Sequence, residues 1–406
     1  MPLVDFDACL LIFLPGTAKN RRGCDGTDVH GPDVEAEQAL TIALALRAAG
    51  GASPLLLCAK GDWAHREALA HGLPHLAVGY RCNPWNLLKL RLWQRRYAFL
   101  LIQTVGESAL FLGHLVRRWR RDGTTVLAHA FFVTPPSGKC RKSKSLWAAH
   151  KIFCGNGGIR QTLLEADPGG MDERFVLLAP GINRQRYAPD LGGEVAETEN
   201  SGKEAMQKPP VGERFIFGMG RGLVARSGVL TVVRAMAALW QVADLPPWEM
   251  RVTGSGPRFA EALEEAERLG VASRLCLLGE QYAPDFLAAC HAWLAPGLSS
   301  EEMPDAFWAG FAAGLPVICS KSALHMERLA GRDAALVVEP DDPQALAGAM
   351  IALMSDSGLR QDLSARAATL REQCGLERMA GEVCRFFSFW GEDLRNKTTD
   401  AGGMRE

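Results

Sequence analysis

Short apolar runs alternate with amphipathic helical stretches along most of the chain, and this alternation restricts the fold more than any other feature. In the first half, an apolar run at 8–15 precedes a helical pattern at 34–51, and a second apolar run follows at 53–59. Strands that alternate with helices are typical of βαβ units, whose strands form a mostly parallel sheet. The first half therefore predicts a doubly wound, Rossmann-like α/β domain.

A second series of the same kind begins at residue 214. An apolar run at 214–221 precedes a helical pattern at 229–242, and the alternation continues to a closing helix. The intervening stretch is rich in Gly, Pro and charge without an apolar period, as expected of a linker. The predicted division is a first domain at 1–189, a linker at 190–213, a second domain at 214–380, and a terminal helix and tail at 381–406 that crosses back to the first domain.

Composition indicates an ordinary globular protein of 406 residues, of which 48% are hydrophobic and 22% charged. The sequence contains no run of eighteen apolar residues, so no membrane-spanning helix is predicted. The first apolar run follows Asp5 and Asp7 without basic residues, so it is predicted to be a buried strand and not a signal peptide. Eleven cysteines are scattered singly, a pattern typical of reduced, buried thiols. We therefore expect a cytoplasmic protein.

Charge divides unevenly between the two halves. Residues 1–190 hold 24 Lys and Arg against 16 Asp and Glu, a balance of +8, whereas the remainder holds 21 against 30, a balance of −9. The stretches 89–97 and 116–123 interleave Trp with Arg. Each is either a solvated helix face or a contact with the inner face of a membrane or a phosphorylated acceptor lipid. Nucleic acid is not an expected partner, because no nucleic-acid-binding motif accompanies the charge.

The segment 296–320 (PGLSSEEMPDAFWAGFAAGLPVICS) carries the clearest sign of function. It predicts a polar loop, a short helix, and a turn through Gly314 and Pro316 into a buried strand. A loop that leads into a helix offers free backbone N–H groups and the positive end of the helix dipole, which together bind anions. Glu301 and Glu302 lie at the mouth of this loop.

The segment resembles the donor-binding signature of retaining glycosyltransferases of the GT-B fold, family 4 ("glycosyl transferases group 1"). Members carry Glu, seven residues, Glu, and then a short helix and a Gly-x-Pro-Val strand. Glu301 matches the first Glu, Gly314 and Pro316 match the strand entry, and Ala309 replaces the second Glu. The resemblance implies two Rossmann-like domains with a cleft between them. It also implies transfer of a sugar from a nucleotide-sugar donor to a glycan or lipid-linked acceptor held by the first domain.

The resemblance extends over about 150 residues of the second half. Arg221 and Arg226 are similar to two family cations that clamp the donor diphosphate, although Ser227 stands where members have Lys and Arg226 lies one place earlier. Fixed cations suit this role because the leaving nucleoside diphosphate accumulates negative charge. Gly254 and Gly256 match the family's Gly-x-Gly-Pro, where small residues let the backbone approach the nucleotide.

The resemblance also assigns roles within the signature. In the family, the first Glu orients the donor sugar, so Glu301 takes that role, and the residues from Glu302 through Met303 and Pro304 to Asp305 supply the phosphate loop. The second Glu normally binds the ribose hydroxyls, which Ala309 cannot do. A lost carboxylate contact costs about 1.5–3 kcal/mol. Members need no metal ion or other cofactor, and we expect none here.

In the first half, the resemblance is carried by fewer positions. Gly31 and Asp33 stand where members have a Gly-rich loop that touches donor phosphate or acceptor. His129 ends an apolar run, where members often place a His that contacts the transferred sugar. A single His at a strand end can equally be structural.

Two alternatives remain from the residues alone. The first is a binding or scaffold protein of the same fold that lost catalysis with the second Glu; binding of a UDP-, GDP- or ADP-sugar would discriminate between them. The second is a nicotinamide-dependent dehydrogenase. This alternative requires Gly-x-Gly-x-x-Gly directly after the first strand, and the glycines of GTAKNRRGCDG are spaced wrongly for it.

Overall fold

The computed structural model divides the chain into two compact units. It describes residues 9–13, 34–48, 54–78, 88, 91–92, 101–120, 126–132, 136–167, 172–182, 213–220, 223, 227–254, 256–279, 283–297, 304–375, 377–379 and 381–386. Of these, residues up to Gly181 and residues 377–386 belong to the first unit, and residues from Ile182 to Gly375 belong to the second.

The described part of the first unit forms a seven-stranded sheet in the order β3-β2-β1-β4-β5-β6-β7, with every neighbouring pair parallel. Its strands are β1 (Cys9–Phe13), β2 (Pro54–Ala59), β3 (His75–Val78), β4 (Leu101–Val105), β5 (Val126–Phe131), β6 (Lys151–Cys154) and β7 (Phe175–Leu177). Its helices are α1 (Val34–Ala48), α2 (Trp63–Ala70), α3 (Glu107–Arg120), α4 (Gly138–Arg141), α5 (Lys144–Trp147) and α6 (Gly157–Ala166). All six residues of β2 are buried, as expected where helices cover both faces of a parallel sheet.

The first continuous part of the first unit ends at Gly181, where the N–H and the carbonyl group are both hydrogen-bonded. The Gln38 side chain of α1 donates to the Gly181 carbonyl at 2.8 Å and accepts from the Gly181 N–H at 3.1 Å. Residues 377–379 and 381–386 are helical and belong to the same unit, where Met379 is fully buried and the Phe386 ring lies 5.7 Å from that of Phe153. The chain therefore returns to the first unit at residue 377, whereas the sequence placed this return at 381.

The described part of the second unit forms a six-stranded sheet in the order β10-β9-β8-β11-β12-β13, again parallel throughout. Its strands are β8 (Phe215–Gly220), β9 (Trp248–Thr253), β10 (Leu275–Leu277), β11 (Ala292–Ala295), β12 (Val317–Ser320) and β13 (Leu336–Val338). Its helices are α7 (Val229–Trp240), α8 (Arg258–Arg268), α9 (Ala283–Ala288), α10 (Pro304–Ala312), α11 (Ala323–Leu329), α12 (Pro343–Ser355) and α13 (Ser357–Cys374).

Helices cover both faces of the second sheet and create two apolar cores. Phe215 and Phe217 of β8 point to one core with residues of α7, α8 and α12. Ile216, between them, points to the other core with residues of α9, α10 and α13. This alternation follows from the two-residue period of a strand. Both units are thus doubly wound, and the linker predicted at 190–213 lies outside the described residues except for Glu213.

Candidate functional site

The candidate site lies at the carboxyl edge of the second sheet, where β8, β9 and β11 end side by side. The chain order reverses between β8 and β11, because β8 continues toward β9 on one side while β11 continues toward β12 on the other. Ligands of open α/β sheets bind outside the carboxyl ends of strands at such a switch point. Three backbone features meet this edge: the start of α7, the turn after β9, and the start of α10.

Gly228 begins α7 in a conformation that other residues rarely adopt. Its φ is 77°, and no side chain caps the helix in the part of the chain that the structure describes. A Cβ at this position would lie 2.7 Å from the carbonyl oxygen of Pro296, which follows β11. Glycine is therefore required both by the left-handed backbone and by the close approach of the two chain segments. The N–H groups of the first turn of α7 have no partners within the helix, a property that favours anion binding.

The turn after β9 contains the predicted Gly254 and Gly256. Their φ values are 115° and 157°, and a Cβ on Gly256 would lie 2.4 Å from the carbonyl oxygen of Leu223. The Gly254 N–H donates to the Gly279 carbonyl at 2.8 Å, and the Thr253 hydroxyl donates to the same oxygen at 2.8 Å. The turn is thus fixed to the end of the neighbouring strand. The sequence pattern placed both glycines correctly at the end of a strand.

The helix α10 supplies the third feature, and the predicted Pro304 and Asp305 form its first residues. Ala309, which stands in place of the second Glu, is buried, with 4% of its surface exposed, in the apolar core that also contains Phe307 and Phe311. Its methyl group offers no hydrogen-bond acceptor at this position.

Most of the predicted site residues lie outside the described residues. These are Arg221, Arg226, Glu301, Glu302 and Met303 in the second half and Gly31 and Asp33 in the first. The described members, Gly254 and Gly256, lie at the same sheet edge as the start of α10. Their proposed roles remain predictions.

His129 lies in β5 of the first unit and is completely buried. Its Nδ1 is 2.5 Å from the Thr104 hydroxyl, and its ring contacts Phe131 edge-on at 4.4 Å. Its Nε2 has no hydrogen-bond partner among the described residues. Burial lowers the pKa of His129 to about 3, so the ring is neutral near pH 7. A neutral ring can exchange a hydrogen bond with a hydroxyl group but cannot act there as a proton donor of imidazolium type.

The sequence alone did not show that Gly228 lies against the Pro296–Gly297 segment. This approach joins the loops that follow two neighbouring strands. Their proximity depends on the pairing of β8 with β11, which places Trp293 opposite Gly218. A glycine directly before the apolar period of α7 was the local signal for Gly228.

Comparison with known proteins gives a family match within the second unit. Residues 213–356, about a third of the chain, match the family model described as glycosyl transferases group 1. The GT-B fold expected from the sequence is also confirmed by solved structures. A glycosyltransferase from Rickettsia africae has a TM-score of 0.71 at 15% identity and covers 96% of this chain and 98% of its own. Anabaena HepE in complex with UDP and glucose has a TM-score of 0.69 at 15% identity and covers 94% and 99%.

Two curated relatives align with about half of this chain. An exopolysaccharide phosphotransferase of Streptomyces coelicolor is 28% identical over 215 residues, which are 49% of this chain and 22% of that protein. The lipopolysaccharide core biosynthesis glycosyltransferase LpsD of Rhizobium meliloti is 30% identical over 194 residues, which are 48% of this chain and 51% of its own. The chain therefore spans about half or less of the length of these two curated relatives.

The described residues contain neither a candidate membrane-spanning helix nor a candidate metal-binding cluster. None of the helices there combines the length and the apolar character needed to span a membrane. In the same part of the chain, no three His, Cys, Asp or Glu residues are grouped so as to hold a metal ion. Independence of metal ions stays a prediction.

Proposed function

We propose that this protein is a retaining, metal-independent glycosyltransferase that moves a sugar from a nucleotide-sugar donor to a glycan or lipid-linked acceptor. The observation that carries the proposal is the convergence of the α7 start, the Gly254–Gly256 turn and the α10 start at one sheet edge within the group 1 domain. The names of the relatives favour a role in cell-surface polysaccharide or lipopolysaccharide synthesis.

In the proposed reaction, the acceptor hydroxyl oxygen forms a bond to the anomeric carbon of the sugar. The bond from that carbon to the diphosphate oxygen breaks, and the acceptor proton leaves with the nucleoside diphosphate. Negative charge grows on the leaving group, so N–H groups at the starts of α7 and α10 are the proposed stabilising donors. Arg221 and Arg226 are the proposed side-chain cations, and Glu302 and Met303, which precede α10, are proposed to carry further N–H donors.

Glu301 is proposed to orient the sugar through its hydroxyl groups, and UDP-glucose is the donor that the complexes of HepE favour. Gly31 and Asp33 are proposed to form the loop of the first unit that touches donor phosphate or acceptor. His129 is proposed to contact the transferred sugar as a neutral ring, and its unpartnered Nε2 supports a hydrogen-bonding role.

The alternative is a GT-B binding or scaffold protein that has lost catalysis, and Ala309 is the observation that favours it. A buried methyl group cannot replace a carboxylate that binds two ribose hydroxyls. Loss of such a contact weakens donor binding about tenfold to a hundredfold. A donor that binds but is never transferred to any acceptor would support this alternative.

The experiment that tests the proposed function is a thermal-shift panel of UDP-, GDP- and ADP-sugars. The unchanged protein is expected to melt at a higher temperature with one of them, because binding to the native state stabilises it. Glu301→Ala is expected to lose most of that shift. Glu264→Ala removes an exposed carboxylate on α8 and serves as the matched control. The proposal fails if no donor shifts the unchanged protein, and the role of Glu301 fails if both variants respond alike.

We also propose that the protein works in the cytoplasm at the inner face of a membrane, which it meets through its basic first unit. Residues 123–164 contain six Lys and Arg and no Asp or Glu. Lys139, Lys142 and Lys144 are exposed, and none forms an ion pair with a described residue. The side chain of Phe111 on α3 is also exposed. Exposed aromatic and basic side chains on one unit suit an anionic lipid surface.

A further inference from the structure

Ser320 connects the ends of two neighbouring strands beneath the candidate site. It is the last residue of β12 and is buried, with 2% of its surface exposed. Its hydroxyl donates to the carbonyl oxygen of Gly297 at 2.6 Å. Gly297 lies two residues beyond the end of β11, which pairs with β12. A short hydrogen bond between buried groups restrains the Gly297 peptide, because breaking it would leave the carbonyl without a partner.

The preceding peptide, Pro296–Gly297, lies against the start of α7. Pro296 precedes Gly297, and its carbonyl oxygen is the atom that a Cβ on Gly228 would approach to 2.7 Å. A shift of the Pro296–Gly297 peptide would therefore displace the start of α7 or open a gap beside it. The hydroxyl of Ser320 thus restrains one of the two helix starts that the proposed site uses.

Ser320 also connects to the other helix start. The Nδ1 of His325 in α11 lies 2.8 Å from the backbone carbonyl oxygen of Ser320 and donates to it. The fully buried His325 ring stacks on the Phe307 ring of α10, with centroids 4.8 Å apart and an interplanar angle of 19°. The guanidinium of Arg328 lies 5.2 Å from the centroid of the same Phe307 ring. Phe307 lies in the first turn of α10, so this stack restrains the start of that helix.

We propose that Ser320 is a positioning residue for the nucleotide-sugar donor, which it orients without touching it. The inference rests on the proposed function, because it supposes that the starts of α7 and α10 bind the donor diphosphate. Preformed hydrogen-bond donors bind and stabilise charge best when surrounding contacts fix their geometry. Ser320 is the residue whose hydroxyl restrains the Gly297 peptide and whose carbonyl receives the bond from His325.

The test compares two serines, five and three positions before His325, that perform different tasks. Ser320→Ala removes the bond to Gly297, and Ser320→Cys removes most of it while it keeps the side-chain volume. Ser322→Ala is the control: its hydroxyl caps α11 by accepting from the His325 N–H at 3.1 Å and does not bond to Gly297. The affinity for UDP-glucose, or for whichever of UDP-, GDP- or ADP-glucose binds the unchanged protein, is measured by calorimetry well below all the melting temperatures.

We expect both Ser320 variants to bind the donor about three- to tenfold more weakly, the effect of losing one hydrogen bond. Ser322→Ala is expected to lower the melting temperature and leave the affinity within about twofold, since it alters stability and not the Gly297 peptide. Affinity that follows melting temperature across all three variants would overturn the inference, as would wild-type affinity in Ser320→Cys. If the unchanged protein binds none of the three donors, the proposed function fails and the inference fails with it.

Discussion

At the scale of single residues, the indole of Trp293 in β11 is closely packed in the second unit and is 2% exposed. Three glycines make room for it. A Cβ on Gly218 would lie 3.1 Å from the indole, one on Gly220 would lie 2.8 Å from it, and one on Gly310 would lie 2.7 Å from three of the Trp293 side-chain atoms. The space that these glycines leave is filled by an aromatic side chain, so a methyl group there has no room.

Gly310→Ala is expected to destabilise the second unit by about 1–3 kcal/mol, the usual cost of overpacking a core. Chemical denaturation measures it. The matched control is Gly348→Ala in α12, where a Cβ would meet nothing within 4 Å. That change is expected to stabilise the helix by about 0.5–1 kcal/mol, because alanine is the better helix former. Equal effects of the two substitutions would contradict the packing of Trp293 described above.

His129 gives a second prediction, on pH. Its native pKa of about 3 lies below the ordinary value of about 6.5. Below pH 6.5 the unfolded chain takes up a proton that the folded protein does not, so the free energy of unfolding falls as the pH decreases toward 3. One such group contributes a slope of about 1.4 kcal/mol per pH unit. Denaturation of His129→Gln between pH 7 and pH 5 is expected to show a smaller dependence of the unfolding free energy on pH, with a difference that approaches one proton only near pH 5.

An independent measurement keeps this prediction testable if the variant folds poorly. The His129 ring signals of the unchanged protein, followed by NMR, are expected not to titrate between pH 8 and pH 5. Titration of that ring near pH 6.5 would mean that the side chain is exposed to water, which would contradict the burial of His129 described above.

The sequence could predict a residue's structural role when that role depends on neighbouring residues in the chain. It could not predict roles that depend on a contact with a distant part of the chain. The position of Gly254 and Gly256 in a turn after a strand was predicted correctly, because a strand followed by Gly-x-Gly predicts a sharp turn whatever surrounds it. Gly218 and Gly310 could not be paired with Trp293, since that contact depends on the register of β8 against β11 and on how α10 packs over them. The link from Ser320 to Gly297 was hidden for the same reason.

At the scale of elements, α12 shows how a local signal and tertiary packing agree. Asp342 caps the helix: its Oδ1 accepts from the N–H groups of Gln344 and Ala345 at 3.0 and 2.9 Å, and Pro343 occupies the first helical position. The helix then buries Leu346 and Met350 in the core that it shares with α7. A fixed helix start sets which residues face that core.

Asp342→Ala is expected to lower the free energy of unfolding by about 1 kcal/mol, because two backbone N–H groups lose their acceptor. Asp342→Asn keeps the Oδ1 acceptor and is expected to lie within a few tenths of a kcal/mol of the unchanged protein. Urea denaturation of the three proteins measures both values. A stability loss in the Asn variant as large as in the Ala variant would assign the effect to charge and not to the cap.

Alternation of apolar runs and helical patterns was enough to predict a doubly wound α/β fold for both halves, because central strands such as β2 are buried on both faces. The path of residues 377–386 was harder to place. Met379 and Val383 are fully buried against the first unit, yet they follow α13 of the second unit after a short interval. Their apolar spacing predicts a helix and does not say which core receives it.

At the scale of the whole molecule, positive charge concentrates on the first unit. Arg117 donates to the Ala148 carbonyl at 2.9 Å, and Glu107 accepts from the Ser137 hydroxyl at 3.1 Å. These two bonds attach the segment with the exposed lysines to both ends of α3. Burial, and then the charges of Arg117 and Arg118, lower the pKa of His114 on the same helix. Lys139, Lys142 and Lys144 therefore lie on a segment that is attached to α3 by hydrogen bonds, in a stretch of sequence without Asp or Glu.

The proposed membrane contact predicts that the double variant Lys142→Glu and Lys144→Glu binds anionic vesicles more weakly. Each Lys near such a surface contributes about 1 kcal/mol, so the loss is expected to reach roughly thirtyfold. Vesicle sedimentation with and without phosphatidylglycerol measures it. Lys60→Glu with Arg66→Glu changes the same charge at exposed positions near α2 and is the control. Equal loss in both double variants would reduce the effect to net charge, and no binding by the unchanged protein would end the proposal.

The pairing of Gln38 with Gly181, and the burial of Met379 beside it, bear on how the protein is made. The second unit is one uninterrupted stretch between residues 182 and 375 among the described residues, whereas the first needs a piece that is translated after it. On the ribosome, the unit that starts first must wait for the other to emerge before its own core can close. A chain truncated before residue 377 and released from the ribosome would therefore hold a finished second unit and an incomplete first one.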